Sequence, residues 1–141
     1  MKNKVFVILV LVFALVSCGG SAEKQSANSE NTVIAQSAKV MVYYFHGKQR
    51  CKTCLAIQKV AEETVTENFA ENGDVRFMEL DYSDKANEAI AKKYEVASSS
   101  LFIVTADAFT NLTDIAFANA LRNPADFKEV IVVEVKKYLD K

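Results

Sequence analysis

The stretch VMVYYFHGKQRCKTCLAIQ, Val40 to Gln58, decides how this chain is read. Its first six residues, VMVYYF, are β-branched, aromatic and apolar, the pattern of a buried strand. Within that run Tyr43 and Tyr44 read as core aromatics. His46-Gly47-Lys48-Gln49 then breaks the strand. From Cys51 the pattern becomes helical: Ile57, Ala61, Val65 and Phe69 recur every four residues, while Lys59, Glu62, Glu63 and Glu67 fall on other faces and read as a solvated surface. Cys51 and Cys54 therefore stand at a strand-to-helix junction. Lys48, Arg50 and Lys52 crowd them, and the only histidine, His46, lies just upstream.

Downstream, Asn72-Gly73 is expected to end the helix with residues that tolerate positive φ. Val75 to Asp81 (VRFMELD) reads as a second strand, and Ser83 or Asp84 can cap a helix running to about Tyr94. Leu101 to Val104 (LFIV) is a third strand. Leu112 to Phe117 reads as a weaker fourth, reached through a turn near Thr110-Asn111. Asn123-Pro124 then offers an N-cap and a proline at the first helical position. The final helix, to about Leu139, should bury Phe127, Ile131, Val135 and Tyr138. The expected order is β-α-β-α-β-β-α, an α/β domain whose mixed sheet is flanked by helices on both faces.

Upstream, residues 1–17 look like a signal segment. Lys2 and Lys4 precede an unbroken apolar run of twelve residues, Val5 to Val16. A spanning helix needs about 20 residues, so the run has the length of a secretory core instead. It leads into LVSC, which resembles a bacterial lipobox and implies lipidation of Cys18. Residues 18–37 are then the lipidated cysteine and a Ser-, Ala-, Asn- and Gln-rich tether that cannot build a core. Residues 38–141 form the domain. Lipid chains on Cys18 place it in the cell envelope, facing the periplasm or exterior. Gly19 carries no acidic retention signal, which favours the outer membrane where two membranes exist.

Composition excludes some functions. Half of the 141 residues are hydrophobic, with 9 Phe and 5 Tyr, enough for a packed core. The formal net charge is -1, and removing Lys2 and Lys4 leaves 15 basic residues against 18 acidic. No basic stripe suited to nucleic acid is present. With Cys18 lipidated, Cys51 and Cys54 can pair with each other, with a partner's thiol, or with a metal.

The strand–CxxC–helix opening, the VRFMELD strand, the YEVASSSLFIV segment (Tyr94 to Val104) and the final helix resemble the thioredoxin-like superfamily in order and spacing. The match spans residues 38–141. It implies a thiol–disulfide oxidoreductase in which Cys51 attacks, Cys54 resolves, and the two form a Cys51–Cys54 disulfide. Protein thiols and disulfides are the implied substrates, with a membrane protein as electron-transfer partner and no cofactor or metal required.

Physical chemistry supports that assignment of roles. A helix N-terminus carries roughly half a positive charge and free N–H groups, which stabilise a thiolate at Cys51. Arg50 and Lys52 are expected to add to this and make the couple more oxidising than a thioredoxin with neutral neighbours.

The sequence also departs from the family pattern. Arg50 stands where a tryptophan usually precedes the first cysteine. Tyr44 or Phe45 falls where a buried acid would assist the second. Ser99 or Ser100 replaces the cis-proline that faces the pair, and the chain's only proline is Pro124. His46 can bond the loop, tune a cysteine, or complete a His46/Cys51/Cys54 set for a metal or metalloid. An interaction module that has kept the fold without the activity is the third reading.

Overall fold

The computed structural model describes residues 38–141. The expected signal segment (residues 1–17), the expected lipidation at Cys18 and the expected tether lie outside the described residues. Strand β1 (Val40–His46) is central: β2 (Val75–Asp81) pairs with it in parallel, and β3 (Ser100–Val104) pairs on its other side antiparallel. A short β4 (Phe109–Asn111) extends the sheet antiparallel to β3, giving the order β2-β1-β3-β4. This mixed sheet with helices on both faces is a thioredoxin-like α/β fold.

The unbroken apolar run in β1 follows from burial on both sides, because successive side chains point to opposite faces. Val40, Val42 and Tyr44 join one core with helices α1 (Lys52–Phe69) and α4 (Pro124–Leu139). Met41, Tyr43 and Phe45 join a second core on the opposite face. In α1 the four-residue repeat Ile57, Ala61, Val65 and Phe69 is buried as expected, together with Val60 and Thr64. The Thr64 hydroxyl is satisfied within its own helix, donating to the Val60 carbonyl at 2.6 Å. From α4, Phe127, Ile131 and Val135 are fully buried, while Tyr138 is half-buried and meets Thr110 at 2.8 Å.

The second face is covered by a 3₁₀ turn (Lys85–Asn87) and helix α2 (Glu88–Lys93). Asp84 caps the turn by accepting the Ala86 N–H. Helix α2 ends with Glu95 at φ 52, a left-handed stop in which the Val96 N–H reaches back to the Ala91 carbonyl. Tyr94 is thereby delivered into an aromatic cluster with Tyr43, Phe45, Phe102 and Phe109, at centroid separations of 5.4 to 6.3 Å.

Two expectations are corrected. The fourth strand is Phe109–Asn111, and Leu112–Phe117 belongs mostly to an additional helix, α3 (Thr113–Asn119). The deciding periodicity is helical: Leu112, Ala116 and Ala120 are 2%, 0% and 4% exposed, whereas Ile115 and Phe117 face solvent. Asn111 is not a hairpin turn residue. It ends β4, and its side-chain oxygen accepts the Thr113 N–H of the first α3 residue at 2.9 Å. The hairpin turn lies earlier, where the Thr105 N–H donates to the Ala108 carbonyl. Second, Gly73 has no positive φ. Helix α1 stops at Phe69, and the chain turns through Asn72, whose side chain accepts the Asp74 N–H.

The register fixes the site. Phe45 lies opposite Ser100, Tyr44 opposite Glu79, and His46 opposite Asp81. The C-terminal ends of β1 and β2 and the start of β3 therefore meet at one edge, where the cysteine loop also begins.

Candidate functional site

The loop from Gly47 to Arg50 carries the chain from β1 to α1. Gly47 lets the Tyr82 side chain approach the loop closely: a Cβ there would lie 2.8 Å from the Tyr82 hydroxyl oxygen. Cys51 ends the loop as the N-cap of α1, in extended conformation with φ -79 and ψ 168. Its carbonyl accepts the first helical bond from the Leu55 N–H, and its Sγ accepts the Cys54 N–H at 3.2 Å. Cysteine thus fills the role a serine or aspartate usually plays at this position.

The two thiols differ in surroundings. Cys51 is exposed and Cys54 is buried; both are free, with Sγ atoms 2.8 Å apart. The Cys51 thiol is held below its ordinary pKa, first by a hydrogen bond from the Cys54 thiol and next by the Cys54 backbone N–H. Further backbone amides of the helix start, at Thr53 and Cys51 itself, act in the same direction. The second thiol acts first, and the helix-terminus effect expected from the sequence adds to it.

Arg50 does not turn towards Cys51. Its Nη1 donates to Glu79 Oε1 at 2.7 Å, its Nη2 donates to Gln58, and its guanidinium lies over the Tyr44 ring at 5.7 Å. Its charge is therefore engaged by Glu79, and the expected contribution to Cys51 has no direct contact to carry it. Lys52 is exposed and makes no ion pair among the described residues, as is true of Lys48.

His46 also turns to Glu79, with Nε2 at 2.8 Å from Oε1 and Nδ1 at 2.9 Å from the Gly47 carbonyl. Both ring nitrogens face oxygen acceptors of the protein, so neither is directed at the thiols. Among the described residues no group of three His, Cys, Asp or Glu side chains is placed to hold a metal. The His46/Cys51/Cys54 set is not assembled, and the bonding of the loop by His46 is what the geometry displays.

Ser99 and Ser100 separate. Ser99 is buried with its Oγ 3.7 Å from Cys54 Sγ, within reach of a weak thiol hydrogen bond. Ser100 opens β3 and donates to the Ser98 carbonyl at 2.9 Å. Ser99 is therefore the serine that faces the cysteine pair.

Three residues of this neighbourhood were not singled out from sequence as site residues. The fully buried Tyr44 donates its hydroxyl to the Cys54 carbonyl at 2.8 Å. Its pKa is pushed up to about 12, mainly by burial and then by the Cys54 charge, so it serves as a donor and not as a base at neutral pH. The available signal was period two: Tyr44 shares a face with Val40 and Val42, directly beneath α1. Glu79 and Gln58 join Arg50 in a polar cluster, Gln58 donating to Glu79 Oε2. Glu79 could have been suspected as the acid set between the apolar Met78 and Leu80 of VRFMELD.

No family model matches the chain, and no curated protein does. Solved structures with a similar course of the chain include thioredoxin from Wuchereria bancrofti, at 15% identity over 73% of this chain and 87% of that one, with a TM-score of 0.46. Mitochondrial thioredoxin 3 from Saccharomyces cerevisiae is 20% identical over 73% of this chain and 85% of its own, with a TM-score of 0.41. Human ERp44 is 19% identical over 79% of this chain but only 34% of its own, with a TM-score of 0.47.

Proposed function

We propose that this protein is an envelope-anchored thiol–disulfide oxidoreductase acting through Cys51 and Cys54. One observation carries the reading: an exposed thiol of lowered pKa caps a helix 2.8 Å from a buried second thiol. The Cys51 thiolate attacks one sulfur of a substrate disulfide. A Cys51–substrate bond forms, the substrate's S–S bond breaks, and its electron pair leaves on the other substrate sulfur, which takes up a proton. Deprotonated Cys54 then attacks Cys51 Sγ, closing the Cys51–Cys54 disulfide and expelling the second substrate thiolate. The substrate is reduced by two electrons and the pair is oxidised. In reverse, the same steps oxidise a substrate dithiol.

Geometry supports the division of labour. Cys51 is accessible to a protein substrate, whereas Cys54 is buried and needs only a sub-ångström approach to reach bonding distance from Cys51. Ser99 flanks Cys54 where a substrate would lie across the pair. The substrates are protein thiols and disulfides. A membrane electron-transfer partner would return the pair to its starting state.

Attachment to the membrane is assigned to acyl chains on Cys18, with residues 19–37 as tether and the outer membrane as the favoured surface. No helix among the described residues is long and apolar enough to cross a membrane. Each buried methylene contributes about 0.8 kcal/mol, so two or more chains hold the protein stably. A Cys18→Ser variant should lose both its lipid mass and its membrane fraction.

The redox reading is tested by equilibrating the full chain with glutathione buffers of graded poise, followed by acid quenching, alkylation and mass spectrometry. A reversible loss of two alkylatable thiols at Cys51 and Cys54 is expected. Two thiols that stay free at every poise would contradict the reading.

A further inference from the structure

The polar cluster beside the cysteine pair has one carboxylate serving two nitrogen groups. Glu79 Oε1 lies 2.7 Å from Arg50 Nη1 and 2.8 Å from His46 Nε2. Its other oxygen accepts from Gln58, and Gln58 in turn accepts from Arg50. The four groups come from four places: β1, the cysteine loop, the first turns of α1, and β2. Arg50 is adjacent to Cys51 in sequence, yet its cation is held against Glu79 and over Tyr44. The largest forces that lower the Cys51 thiol are the Cys54 thiol and then backbone amides of the helix start.

We propose that Glu79 is a positioning residue of the redox pair: by pairing with Arg50 it cancels that cation's field at Cys51 and sets the couple towards the reducing side. The inference rests on the proposed redox reading and adds what fixes the poise of the same site. A cation near a thiolate stabilises the reduced form of the pair, making the couple more oxidising. An Arg50 neutralised by Glu79 adds little, and an Arg50 released from Glu79 adds its full charge. Other charges near the loop are Lys52, which makes no ion pair among the described residues, Lys48, which acts on Asp81, and Asp81 itself, which is held by Ser83. None of them is joined to Arg50.

The test extends the glutathione equilibrium to Glu79→Gln, Arg50→Met and the double variant, with the rate of Cys51 alkylation by iodoacetamide at neutral pH. Glutamine keeps the shape of the exposed Glu79 side chain and removes only its charge. Glu79→Gln should shift the equilibrium towards the dithiol by about threefold, the scale of an exposed charge interaction, and speed Cys51 alkylation. Arg50→Met should shift both in the opposite direction, because it leaves Glu79 unneutralised. The double variant, which lacks both charges, should return close to the wild-type equilibrium, the two opposite shifts offsetting each other.

An unchanged equilibrium in Glu79→Gln, or a double variant that stays as far from wild type as either single variant, overturns the proposal. A role limited to holding the loop would lower the melting temperature and leave the equilibrium in place. A wild-type pair that never forms its disulfide removes the redox reading and this inference together. A wild-type pair that cycles normally beside an unresponsive Glu79→Gln removes the inference alone.

Discussion

The Tyr44 hydroxyl donates to the carbonyl oxygen of Cys54 at 2.8 Å, tying the central strand to the first turn of the cysteine helix from below. Tyr44 is fully buried, so the bond is made without competing water. Tyr44→Phe should reduce stability at neutral pH by about 1 kcal/mol, the net worth of one such bond. Chemical denaturation of the reduced protein measures it.

The same residue sets an alkaline limit. Its pKa is raised from 10.0 to about 12, so the folded state holds this proton more tightly than the unfolded chain. Its stabilising share is complete below pH 10 and is lost as pH climbs towards 12. The stability gap between wild type and Tyr44→Phe should therefore narrow over that window. A gap that widens contradicts the assignment.

Cys51 should alkylate well before Cys54, and its rate should rise with pH around a midpoint below that of an ordinary thiol. Exposure and the lowered pKa both favour it. Mass spectrometry after a brief pulse of iodoacetamide resolves the two sites. Preferential labelling of Cys54 would reverse the assigned roles.

Gly47→Ala should destabilise by about 1 kcal/mol or less, because the half-buried Tyr82 side chain can give way. The obstacle is a specific atom, the Tyr82 hydroxyl, 2.8 Å from the added Cβ. Tyr82→Phe should thus remove part of the cost. A double-mutant cycle in denaturant gives the coupling, and strict additivity would count against the contact.

How much of this was legible in the sequence varies with the kind of signal. The central strand and the two long helices were, because their burial patterns span many residues: Val40 to Phe45, Ile57 to Phe69, and Phe127 to Val135. The segment from Leu112 was not, since a strand and the first turns of a helix look alike over six residues. Only Ala116 and Ala120, as small buried residues, reveal the helical repeat, and alanine is a weak apolar marker.

The cysteine pair was found by its spacing and its place between a strand and a helix, but its surroundings were not. Charge adjacency suggested that Arg50 acts on Cys51. The strand register puts Glu79 opposite Tyr44, and the guanidinium goes to the carboxylate. That partner is remote in sequence, and only the parallel pairing of β1 with β2 brings it near. The choice between Ser99 and Ser100 likewise depended on where β3 begins.

The most direct test is a Cys54→Ser variant of the full chain, trapped with acid in intact cells and separated without reductant. If Cys51 attacks and Cys54 resolves, the variant should accumulate mixed disulfides with envelope proteins. Those adducts should vanish on reduction and be absent from Cys51→Ser. A Cys54→Ser variant that forms no adducts, or forms as many as Cys51→Ser does, would contradict the account.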